Sequence, residues 1–130
     1  MKTLVVSARS HDRQVIETFN GGRHELHFTE AALNEETAPI ARGFPAVCAF
    51  VNDRLNAATL RMLANGGTRF LALRSTGFNN VDLDAARALG ITVARVGRYS
   101  PYSVAEFVVG LTLTLNRKLH KAYVRGREDY

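Results

Sequence analysis

The chain has 130 residues, a formal net charge of +5, 46% hydrophobic and 22% charged residues, and one cysteine. That length suits one domain with a real core and excludes two full domains, while ordinary apolar content excludes low complexity and disorder. The charge is local: segment 117–127 holds Arg117, Lys118, Lys121, Arg125 and Arg127 with no acid, and the rest has twelve basic and twelve acidic residues, so no nucleic-acid partner is expected.

Thr3–Val6 reads as a first buried strand, far too short for a signal peptide and followed by the polar loop Ser7–Asp12. No run reaches membrane-spanning length, so the expectation is a soluble cytoplasmic protein with no membrane contact. Arg13–Phe19 is expected as a short helix stopped by Asn20-Gly-Gly22. His24–Phe28 follows as a second strand, with a loosely helical connection over Ala31–Ala41. Ala46–Val51 is the third strand; Cys48 lies inside it, so a buried structural thiol is expected and a disulfide framework or zinc set is not. Asn56–Ala64 reads as a helix capped by Asn56, with Leu60 and Leu63 inward.

Arg69–Leu73 is the fourth strand, Leu83–Leu89 a helix closed by Gly90, and Ile91–Val96 the fifth strand. From Pro101, a favoured first helical residue, one long helix is expected to run nearly to the end. Its Val104–Leu115 segment is apolar nearly all round, so it needs cover on several sides that a five-strand domain cannot supply alone. Strands alternating with helices through short loops predict an α/β fold, a flavodoxin-like doubly wound parallel five-stranded sheet with a long C-terminal helix.

The functional signal lies in Arg74-Ser-Thr-Gly-Phe-Asn-Asn-Val-Asp82, a polar loop between the carboxyl end of a buried strand and a helix. Open α/β sheets bind ligands at such ends, and the free N–H groups there suit a small anion. Asn80 or Asp82 is expected to cap the helix. Arg9, Asn52-Asp53, Ser75-Thr76-Gly77 and Tyr99-Ser100 follow four of the strands and converge on one rim. No two glycines have the G-x-G spacing, and no G-x-x-x-x-G-K-[ST] occurs, so the chain carries no phosphate cradle. His11, His24, His27 and His120 form no metal-ligand set, and no nucleophile triad is suggested.

Leu71–Ala86, Val93-Ala-Arg-Val96, Tyr99–Glu106 and Leu113–Tyr123, with Ala46–Asp53, resemble the D-lactate dehydrogenases of the D-isomer-specific 2-hydroxyacid dehydrogenase family. The resemblance spans the whole chain, with its motifs in order. It implies that 1–100 is the substrate domain, that 101–130 is an interdomain and dimerisation helix, and that the NAD-binding Rossmann domain lies outside these residues. It further implies an NAD-dependent oxidoreductase interconverting pyruvate and D-lactate by hydride transfer, of which these 130 residues alone are inactive and bind no NAD. The family's catalytic arginine, glutamate and histidine have no counterpart here.

By motif, backbone N–H groups around Ser75, Thr76 and Gly77 grip the carboxylate of a 2-oxoacid, Phe50 lines the apolar side and Tyr99 binds substrate through its hydroxyl. Ser103 and Val104 face the nicotinamide. Three residues depart from the family pattern: Gly97 and Arg98 replace the proline and small residue that usually precede the tyrosine, and Phe107 stands where histidine is usual. Two other readings remain open: a receiver-like signalling domain phosphorylated at Asp53, and a truncated interaction module working through the last helix.

Overall fold

A computed structural model describes residues 1–128. The elements are β1 (Lys2–Val5), α1 (Ser10–Asn20), β2 (Glu25–Phe28), a 3-10 turn (Ala38–Ala41), β3 (Ala46–Ala49), α2 (Ala57–Asn65), β4 (Phe70–Leu73), α3 (Leu83–Ala88), β5 (Thr92–Arg95), α4 (Pro101–Arg117) and α5 (Leu119–Glu128). They form two compact units, Met1–Gly97 and the residues from Arg98 onward.

In the first unit the five strands make one all-parallel sheet in the order β2-β1-β3-β4-β5. The expected doubly wound α/β fold is therefore present. The order reverses at β1, so right-handed crossovers send α1 to one face and α2 and α3 to the other. It also sets a switch point between the carboxyl ends of β1 and β3, where this architecture opens its crevice. One face carries the core: Leu4, Val47, Leu71 and Leu73 join Leu60 and Leu63 of α2, whereas alternate residues of β4 are exposed, Phe70 by 48%.

Local chemistry explains the boundaries. The Asn56 side chain accepts the N–H of Thr59 and starts α2; the Asp82 side chain accepts that of Ala85 and starts α3. Both satisfy an otherwise orphaned donor of a first turn. Gly21, at φ 53°, ends α1 in the left-handed conformation that glycine adopts cheaply.

Two expectations are corrected. Ala31–Ala41 is helical only in its last four residues, because Asn34 and Thr37 bond the local backbone and hold the preceding segment in tight turns. The single C-terminal helix is two: Lys118 adopts φ 53° and ψ 37°, and its N–H reaches back to the carbonyls of Thr114 and Leu115. This closes α4 with a left-handed residue before α5 begins. Within the second unit Phe107, Leu113 and Leu115 are each more than half exposed. No helix among the described residues is long and apolar enough to cross a membrane.

Candidate ligand-binding site

The carboxyl ends of β1, β3 and β4 are tied together by three polar side chains. Asp53 is fully buried, and its carboxylate accepts from the Ser7 hydroxyl at 2.7 Å, the Leu33 N–H at 2.7 Å and the Phe50 N–H at 2.6 Å. Asn80 donates to the carbonyls of Phe50 at 3.0 Å and Asp53 at 2.9 Å, and its own carbonyl accepts the Leu55 N–H. Arg74 donates to the Val6 carbonyl at 2.7 Å and the Ser7 carbonyl at 3.2 Å, pairs with Asp12 at 2.9 Å, and lies 5.1 Å from the centre of the Phe50 ring.

These ties hold unusual backbone in place. Ser7 has φ 50°, a conformation costly for a residue with a Cβ. Its N–H donates to Ala31, its hydroxyl to Asp53, and its carbonyl accepts from Arg74, so the surroundings over-determine it. The Arg9 N–H, followed by the Arg74 guanidinium, holds the Asp12 carboxyl below its ordinary value despite partial desolvation. Burial pushes the Cys48 thiol up, as expected of a structural cysteine rather than a nucleophile.

Within this frame the loop after β4 presents backbone. The Ser75 hydroxyl turns inward to the Gly77 carbonyl at 2.8 Å. Arg95 of β5 donates to the Thr76 carbonyl at 2.8 Å and lies over the Phe78 ring at 5.2 Å. The Ser75 carbonyl accepts the Val96 N–H at 3.2 Å. Among the described residues, the N–H groups of Thr76, Gly77 and Phe78 donate to no protein acceptor. They are free for an anion, with the N-terminus of α3 following at Leu83.

The sequence-predicted site residues fall into the two units. Phe50, Ser75, Thr76 and Gly77 gather at the carboxyl rim of the sheet, Phe50 and Ser75 partly buried and Gly77 exposed. Tyr99, Ser103 and Val104 belong to the second unit. Tyr99 is 64% exposed; Ser100 caps α4 by accepting the Ser103 N–H, and the Ser103 hydroxyl donates to Ser100 at 2.9 Å. Val104 is exposed in the first turn of α4. No two glycines of the chain have the G-x-G spacing of a dinucleotide cradle. Asp53 is corrected as a phosphoacceptor: a buried carboxylate with both oxygens taken by three donors is not open to phosphorylation.

The ties made by Arg74, Asn80 and Arg95 were not read from the sequence: Asn80 was a candidate cap, a role Asp82 takes, and Arg74 and Arg95 were marked only by their place at strand ends, because the partners lie between 19 and 68 residues away.

A doubly wound parallel sheet with unengaged amides in a loop at its carboxyl rim defines an open α/β domain whose crevice lies at that rim. The family model for the catalytic domain of D-isomer specific 2-hydroxyacid dehydrogenases matches residues 3–123, and the chain belongs to that family. It is 52% identical over 130 residues to 2-hydroxyacid dehydrogenase homolog 1 of Schizosaccharomyces pombe, with 99% of this chain and 39% of the relative covered. The apo structure of D-lactate dehydrogenase from Escherichia coli superposes with a TM-score of 0.86 at 45% identity, over 98% of this chain and 41% of the other. D-lactate dehydrogenase with NAD+ from Lactobacillus jensenii superposes at 0.71 and 26% identity, over 100% and 40%. The chain thus spans about two fifths of the length of the relatives it matches.

Proposed function

We propose that the chain is the substrate-side part of an NAD-dependent D-2-hydroxyacid dehydrogenase that interconverts pyruvate and D-lactate. The observation that carries this is the row of unengaged N–H groups at Thr76, Gly77 and Phe78 on the rim of this family's fold. A 2-oxoacid carboxylate accepts from these amides, and charge-assisted bonds to fixed backbone donors orient it without a dedicated side-chain cation. Phe50 supplies an apolar wall beside the Arg74 face. Tyr99 binds the substrate through its hydroxyl, and Ser103 and Val104 face the nicotinamide, as the family motif implies.

NAD, held by the nucleotide-binding domain of the complete enzyme, supplies the hydride. Residues 1–100 act as the substrate domain and 101–130 as the interdomain helical segment, through which the complete protein self-associates as a cytoplasmic dimer. The exposed apolar side chains of α4 support that role. The family's catalytic arginine, glutamate and histidine and a dinucleotide fingerprint have no counterpart in these 130 residues, so the chain alone is inert. The test is NADH oxidation with pyruvate by the purified chain: no turnover above the protein-free rate is expected, and measurable turnover contradicts the assignment.

A further inference from the structure

We infer that Arg95 is a positioning residue for the anion loop: it fixes the peptide planes that aim the loop amides at a carboxylate. In a trans peptide the C=O of one residue and the N–H of the next point in opposite directions, and the chain has no cis peptide bonds among its described residues. Anchoring three successive carbonyls therefore sets the direction of three successive N–H groups. The Ser75 carbonyl is held by the Val96 N–H, so the Thr76 N–H points away from β5. The Thr76 carbonyl is held by the Arg95 guanidinium at 2.8 Å, which turns the Gly77 N–H away from Arg95. The Gly77 carbonyl is held by the Ser75 hydroxyl at 2.8 Å, which turns the Phe78 N–H away from the Ser75 side chain.

Of the three anchors, only Arg95 reaches the loop by a side chain from another element. Gly77 is also the residue most free to rotate: a Cβ built there would meet nothing within 4 Å, so packing does not restrain it. Without Arg95 the Thr76–Gly77 peptide is free to flip, presenting a carbonyl where the anion needs a donor. The guanidinium holds the loop twice, through this bond and by stacking at 5.2 Å over Phe78, whose own carbonyl accepts the Val81 N–H. No acid among the described residues pairs with Arg95, in contrast to Arg74, which is paired with Asp12.

This inference rests on the carboxylate reading of the loop, and its test separates the two. The 15N-labelled chain is titrated with oxamate, following the Thr76, Gly77 and Phe78 amides in the unaltered protein and in Arg95→Ala, Arg95→Lys and Ser75→Ala, with Arg87→Ala as a charge control remote from the loop. Arg95→Ala is expected to weaken binding about tenfold, the scale of one lost bond to a charged group, and to move the Gly77 amide signal before oxamate is added. Arg95→Lys keeps the charge but not the planar fork, so it recovers only part of the loss. Ser75→Ala displaces chiefly the Phe78 amide, which tests the carbonyl-anchoring logic through a second residue. Arg87→Ala binds as the unaltered chain does.

Binding by Arg95→Ala within twofold of the unaltered chain, or full recovery in Arg95→Lys, overturns the positioning role and leaves the carboxylate reading standing. Absence of oxamate-dependent shifts in the unaltered chain overturns the reading and the inference with it.

Discussion

Replacing Asp53 with alanine should be the most damaging single change at the rim. Its carboxylate accepts three donors, and the substitution leaves all three without a partner. The Leu33 N–H is buried, and an unsatisfied buried donor costs about 1–3 kcal/mol. The half-buried Phe50 N–H and Ser7 hydroxyl recover some solvation from water and belong at the low end of that range. Together these give about 4 kcal/mol, a large part of the 5–15 kcal/mol that typically separates folded from unfolded chains. With a urea m-value of about 2 kcal/mol/M, the unfolding midpoint followed by far-ultraviolet circular dichroism at pH 7 falls by about 2 M. Asp53→Asn restores acceptors but turns an amide donor toward one of the N–H groups, so it rescues only part of the loss. A midpoint shift below about 0.5 M for Asp53→Ala would refute the view that this carboxylate ties the strand ends together.

Asp12 should make stability depend on acid. Its folded-state carboxyl lies below the ordinary 3.8, so its contribution is fully present above that value and is lost as pH falls through the folded value. Acid unfolding of Asp12→Asn should therefore converge with the unaltered chain at the low-pH end and diverge from it above about pH 5; parallel curves throughout would contradict this. Cys48 should react with iodoacetamide at pH 8 far more slowly than free cysteine and speed up in urea, because burial raises its thiol; an equal rate in the folded chain would argue otherwise. Leu71→Ala, on the interior strand β4 and 1% exposed, should cost about 2–5 kcal/mol in the same urea experiment. Phe107→Asp on α4 should shift sedimentation toward the monomer if this helix self-associates, whereas identical profiles would place that contact elsewhere.

The five strands and the caps at Asn56 and Asp82 were legible because they are local: an apolar run of strand length, then a side chain that satisfies its own first turn. The loop after β4, proposed as the anion site, stands out for the same reason, as a polar glycine-containing stretch between a strand and a helix. The frame that shapes it was not legible. Asp53 bonds Leu33 and Ser7, and Arg74 bonds Val6, across separations that only the closed sheet brings together. Asp53 looked like an exposed strand-end acid and is a buried hub. The break at Lys118 was hidden because a lysine, and no glycine or proline, takes the left-handed position. Ala31–Ala41 was expected as a loosely helical connection, but the local bonds of Asn34 and Thr37 prevailed over its first part.

The rim is tested most directly by one titration: pyruvate added to the 15N-labelled chain, with every assignable amide followed. The predicted result is saturable shifts centred on Thr76, Gly77 and Phe78 and extending to Phe50, with the amides of α1 and β2 unmoved. Saturable shifts centred elsewhere, or none at the loop up to the solubility limit of pyruvate, would contradict the assignment of this rim as half of a 2-oxoacid site.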